Sequence, residues 1–185
     1  MPHLFMSTNP KQCGARCDEC PLGPNGALQK DEWRPVVGEF HPGAKILALG
    51  EAPRAEDIMQ GRPLMGSAAG EWARFLATAG LNRSHVDLDN VIACKPSGKD
   101  GGAWNRMEKS LDRLNKKRVS QGKDPLPHPI DCCRPRLDNV LGKYDKFIAL
   151  GKTATRVLSG QSGSIRSLRG GPMYIDDDWL WSLEP

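Results

Sequence analysis

The sequence predicts an α/β fold with a parallel sheet that carries helices on both faces, and three observations point there. Lys45–Leu49 (KILAL) is a continuous apolar run between Gly43 and Gly50, the pattern of a strand buried on both faces. Lys146–Leu150 (KFIAL) repeats that pattern, stops at Gly151 and opens into a helix over Lys152–Ser159. Between them, Ser67–Ala79 spaces its apolar residues near a 3.6 period, with a serine in the N-cap position and Gly80 just past the end. Strands alternating with helices in this way form a parallel sheet.

Taken in order, residues 1–30 are rich in Pro, Gly and Cys without periodicity, so this N-terminal segment needs a covalent or metal staple to be ordered. The first strand runs directly into Glu51 and Pro53, and then into a loop punctuated by Gly61, Pro63 and Gly66. After the Ser67–Ala79 helix, a second strand is expected over Val86–Cys94. A long insertion, 96–130, follows. It opens as a loop, continues as a polar helix over Trp104–Ser120 and ends in a hinge at Pro125, Pro127 and Pro129. The chain closes with Met173–Ile175, an acidic turn at Asp176–Asp178, and Trp179–Leu183, read as a hairpin or edge pair. No internal repeat appears, and 185 residues suit one domain spanning 1–185.

No apolar run approaches 18 residues, and the N-terminus lacks the basic-then-apolar layout of a signal peptide. The expectation is a cytoplasmic protein with no membrane partner. A net charge of +4 permits nucleic-acid binding without demanding it. The basic residues gather in the insertion, from Lys109 to Lys123, as a solvated helix face or a phosphate track.

Two places carry chemistry. An acid at the carboxyl end of a buried strand, facing a glycine-containing loop, is how open α/β sheets build a pocket; Glu51 and the 61–66 loop make one suited to a flat polar ligand such as a base. The cysteines at 13, 17, 20, 94, 132 and 133 include a Cys-x-x-Cys pair, which in a cytosolic chain reads as metal or redox chemistry. Their wide separation suggests ligands that converge in the fold. Gly151-Lys152-Thr153 mimics the end of a phosphate loop, but the GxxxxGK[ST] spacing is missing, so a nucleotide hydrolase is not expected. A phosphate contact at the N-terminus of that helix remains reasonable.

GEAPRAEDIMQGRPLMG, DNVIACKP, CCRPRL, ALGKTATRVLSG and a late SLRG occur in the order found in uracil-DNA glycosylases. The chain resembles their iron–sulfur, family-four branch from about Cys17 to Pro185. The resemblance implies a three-layer αβα domain around a central four-stranded, mostly parallel sheet. It implies a DNA-repair hydrolase that flips uracil out of DNA and cleaves its N-glycosidic bond. It also implies a [4Fe–4S] cluster on Cys17, Cys20, Cys94 and Cys133, with zinc as the alternative on ligand count and with Cys13 or Cys132 able to substitute for a neighbour.

By the same resemblance Glu51 stands beside the scissile bond, and Asn90 reads the uracil edge through an amide that both donates and accepts. Ala52, Asp57 and Leu64 complete the base site, and Arg54, Gly66, Ser67, Lys152 and Arg169 touch DNA. Three positions depart from the family pattern. Leu64 stands where phenylalanine usually stacks on the base, Arg54 replaces a glycine, and Asp57 replaces a glutamate. The family's late His-Pro motif is not found by Pro185, and His3, His41, His85 and His128 all precede its place. Two expectations follow: the sequence stops short of a longer protein, or the member is a weak or inactive DNA-binding or partner-docking module, such as part of a replication protein. A monomer or a domain of a larger protein is expected. His128, set between prolines, reads as part of a rigid turn.

Overall fold

A computed structural model describes residues 9–160, together with the strand backbone of 172–175 and 178–183. The first and third strands lie within one residue of the apolar runs that predict them. The strands are β1 (Ile46–Gly50), β2 (Val86–Asn90), β3 (Lys146–Leu150), β4 (Pro172–Ile175) and β5 (Asp178–Leu183), in the spatial order β2-β1-β3-β5-β4. β2, β1, β3 and β5 run parallel, and β4 returns antiparallel along β5. The sheet therefore has five strands among the described residues and not four. The extra one arises because residues 172–175 fold back on β5 as a hairpin, which adds an edge strand without a crossover.

The helices are α1 (Ala55–Gln60), α2 (Ala69–Thr78), α3 (Ala103–Ser120), α4 (Pro129–Leu141) and α5 (Lys152–Ser159). Side chains alternate across the pleat and sort the core into two layers. Leu47, Leu49, Phe147 and Ala149 face one way and pack with Met107 of α3, Leu137 and Val140 of α4 and Leu158 of α5. Ala48, Val86, Leu88 and Ile148 face the other way, against Trp72 and Leu76 of α2. Helices thus cover both faces.

Several boundaries move from their expected places. α2 starts at Ala69 with no side-chain cap, so Ser67 is exposed and does not cap it. β2 ends at Asn90, four residues early. Beyond it the chain leaves the ladder, and the Ala93 carbonyl accepts from the Val36 N–H at 2.8 Å. α1 occupies a stretch, between Pro53 and the loop at Gly61, for which the sequence pattern predicts no element. Its signals were in the sequence: Asp57 accepts from the Arg54 N–H at 2.9 Å, and Gly61 ends the helix in the left-handed region at φ +64°.

The N-terminal segment docks on α4 through a defect in that helix. Pro135 has no N–H for the Asp131 carbonyl one turn back. That carbonyl accepts from Arg16 Nη2 at 3.1 Å, and the Arg16 N–H donates to the Cys132 carbonyl at 2.9 Å. Asn139 Nδ2 holds the Cys13 carbonyl at 3.2 Å. No helix among the described residues is long and apolar enough to cross a membrane.

Candidate active site

Parallel pairing aligns the carboxyl ends of β1 and β2, with Gly50 opposite Asn90, and leaves a crevice beyond them. A cavity of about 120 Å³ lies there. Its wall includes Glu51, Ala52, Arg54, Asp57, Leu64, Gly66 and Asn90, so most of the residues expected at a base site converge on one slot. The volume suits a single ring, since a cavity of ~150 Å³ accepts benzene.

The floor of the slot is held under strain. Leu64 has φ +55° and is the one non-glycine among the described residues with positive φ. Three side chains fix it. Arg83 donates to the Leu64 carbonyl at 3.2 Å and to the Pro63 carbonyl at 2.5 Å, while Asp57 Oδ1 accepts from the Met65 N–H at 2.6 Å. Glu39 anchors Arg83 in turn, at 2.8 Å. Burial favours the protonated form of Glu39, but Arg62 and Arg83 outweigh it and hold the carboxyl down to about 2. Asp57 lines the slot with both oxygens already committed to backbone N–H groups, so its observed work is to shape the loop.

Glu51 Oε2 accepts from Thr153 Oγ1 at 2.5 Å, at the first turn of α5. Burial pushes the Glu51 carboxyl up, Thr153 and Arg54 pull it back, and Glu108 pushes it up again; the net direction is upward. Glu51 also borders a second cavity of about 320 Å³, shared with Arg54, Asp100 and Trp104. Trp104 continues into a third, of about 430 Å³, with His128 and Arg156. His128 caps α4: its Nδ1 accepts from the Ile130 N–H at 3.1 Å, which leaves Nε2 to meet Glu108 at 3.3 Å. That engagement fits the rigid turn expected of it.

Asn90 is the most constrained member. A Cβ on Gly50 would stand 2.4 Å from Asn90 Oδ1, so only glycine lets the amide lie there. Its Nδ2 is buried with no protein acceptor, an unused donor beside the slot. Ser67 and Lys152 are exposed and lie outside the slot lining, Lys152 at the start of α5. Arg169 falls outside the described residues.

Away from the slot lining, Cys17, Cys20, Cys94 and Cys133 are each 5–6% exposed within one apolar cluster that also holds Cys132. Burial, reinforced by the neighbouring sulfurs, pushes the Cys17 thiol up to about 11 and the Cys94 thiol up to about 12. Cys20 rises for the same reason and feels Cys132, Cys133 and Cys94. All six cysteines are free of disulfides, and Trp33 Nε1 donates to Cys94 Sγ at 3.3 Å. Among the described residues no three His, Cys, Asp or Glu side chains stand in the tight arrangement of a closed metal site. The donor set nonetheless fits a thiophilic centre: buried free thiols from three chain segments, with an indole N–H on one sulfur. Arg16, which orders the segment before Cys17, and Arg83, Asp89 and Arg136 were not singled out from sequence, and Thr153 was read only as part of a phosphate-loop-like turn, not as a partner of Glu51. Asp87 and Asp89, carboxylates inside a fully buried strand, were the available signal that partners existed.

Fold and slot together define an α/β protein with a ring-sized crevice at the carboxyl ends of its parallel strands. A family model described as the Uracil DNA glycosylase superfamily matches residues 37–182, and the chain belongs to that superfamily. A Type-4 uracil-DNA glycosylase of Thermotoga maritima is 29% identical over 168 residues, covering 89% of this chain and 70% of that protein. One from Pyrobaculum aerophilum is 28% identical over 144 residues, 77% of this chain and 59% of its own length. One from Archaeoglobus fulgidus is 32% identical over 87 residues, 47% and 44% respectively. The matched stretches thus span 44–70% of the length of these curated relatives.

Proposed function

We propose that this chain removes uracil from DNA by hydrolysing the N-glycosidic bond. The observation that carries the reading is the ring-sized slot whose wall combines the unpartnered Asn90 Nδ2 with the Glu51 carboxylate. A base inside a duplex cannot reach such a slot, so the nucleotide must be flipped or already single-stranded. Asn90 Nδ2 donates to uracil O4, and Oδ1 accepts from N3–H; cytosine offers neither in that arrangement. As the C1′–N1 bond breaks, its electron pair leaves with the base and positive charge develops on the sugar. The Glu51 carboxylate faces that charge and orients water for attack at C1′; the water proton leaves to solvent, and the base anion is protonated afterwards. Thr153 holds Glu51 in place. Arg54, Gly66, Ser67 and Lys152 supply phosphate contacts around the slot mouth, with Arg169 assigned to the same role.

Cys17, Cys20, Cys94 and Cys133 would hold a [4Fe–4S] cluster, or zinc, whose contribution is to cross-link the N-terminal segment to α4. The mechanism asks for no electron transfer. Brown colour with absorbance near 400 nm separates iron–sulfur from zinc. Incubation with uracil-containing single-stranded DNA followed by alkali should yield strand cleavage at the uracil. Glu51→Gln should slow it by about 10²–10³, the scale of losing one preorganised charge contact. Undiminished cleavage by that variant removes Glu51 from the chemistry.

A second reading has its own observation. Leu64 gives the slot an apolar floor without a π-face, and base stacking is worth about 1–3 kcal/mol. A member that binds DNA and excises weakly fits that floor. Salt-dependent DNA retardation without alkali-labile sites would favour it.

A further inference from the structure

Arg136 is 1% exposed and sits on α4 three residues after Cys133. Its two terminal nitrogens do different work. Nη1 meets Asp89 Oδ2 at 2.6 Å, and Nη2 donates to the Asn90 carbonyl at 2.6 Å. The other carboxylate oxygen of Asp89 accepts from the Asn90 N–H at 2.7 Å. One buried ion pair therefore grips both main-chain polar groups of the residue whose side-chain amide faces the slot. The pair is 2% and 0% exposed at its side chains, in a strand otherwise suited to apolar residues. Replacing such a pair by apolar groups is often neutral or stabilising, so stability alone does not account for it.

The consequence lies in aim. Asn90 Oδ1 is already pressed against Gly50, so the amide has little freedom of its own and points where its backbone points. The backbone in turn is held by a guanidinium rooted beside the cysteines, within electrostatic reach of Cys133 and Cys94.

We propose that the Asp89–Arg136 pair is a positioning device that aims the Asn90 amide at the base and makes base discrimination depend on how α4 is seated at the cysteine centre. This rests on the glycosylase reading of the slot. Lysine cannot replace Arg136, because a point charge cannot serve the carboxylate and the carbonyl with the same fork geometry.

The test uses the protein as purified, with its metal content measured. Affinity for free uracil and affinity for abasic DNA are compared across wild type, Arg136→Lys and the neutral double variant Asp89→Asn/Arg136→Met. The double variant keeps the volume while removing both charges, so it remains informative if the single variant does not fold. The expected result is an approximately tenfold loss of uracil affinity, about one hydrogen bond. Abasic-DNA affinity and metal content should stay unchanged. Unchanged uracil affinity in a folded variant overturns the proposal. An equal fall in both affinities also overturns it, because it would mark Arg136 as merely structural. Wild type that binds no uracil sinks the glycosylase reading itself, and this inference with it.

Discussion

The base slot and the cysteine centre are linked by α4, which carries Arg136 and Cys133, and are held by opposite means. Around the slot the protein supplies its own supports: Arg83, Asp57, Thr153 and Arg136 each complete a hydrogen bond that fixes a loop, a carboxylate or a backbone. At the centre the segment around Cys17 and Cys20 has turns, little regular structure and buried thiols that burial keeps protonated. The difference teaches that the chain's own hydrogen bonds fix the slot, whereas the N-terminal segment is built of turns around free thiols, the part that the proposed metal centre would order.

The most severe way to break that contrast is Cys17→Ser/Cys20→Ser. If the thiols bind iron or zinc, the loss is on the order of 10 kcal/mol, more than a marginally stable domain can spare. Limited proteolysis should then cut within residues 9–30 of the variant, and metal content should fall; an uncut variant with full metal content contradicts the dependence. Asp57→Ala probes the other side. It strips acceptors from the Arg54 and Met65 N–H groups and should cost about 2 kcal/mol in urea unfolding, whatever the metal content.

Smaller effects sharpen the picture of the slot. Thr153→Val removes the bond that favours ionised Glu51, so its already raised pKa should climb further. Because the carboxylate is the working form, the acid limb of the pH–rate profile should move to higher pH, with the rate on the alkaline side little changed. A limb that stays put separates Glu51 from that profile. Glu39→Gln is the mildest. Glu39 titrates lower folded than unfolded, so its contribution is present above about 4.5 and lost as pH falls toward about 2. The variant should lose about 1 kcal/mol at pH 7 and flatten the stability slope across that window, measured by denaturant titration at several pH values.

The slot was readable because its residues lie in one local run, Gly50–Gly66, plus Asn90 at the end of a recognisable strand. β3 and α5 fell where their apolar pattern and flanking glycines put them. The supporting side chains were not readable. Arg83 reaches Pro63 across 20 positions, Arg136 reaches Asn90 across 46 and Thr153 reaches Glu51 across 102, and no local spacing encodes such pairs. α1 was missed because the glycines and prolines around it outweighed a six-residue helical signal.

Pro135 has a bearing on biosynthesis. By withholding a donor from the Asp131 carbonyl it leaves an acceptor that Arg16 takes, so the segment around Arg16 has no berth until the much later α4 exists. On the ribosome, residues 9–30 must wait, thiols open to oxidants, while more than a hundred further residues emerge.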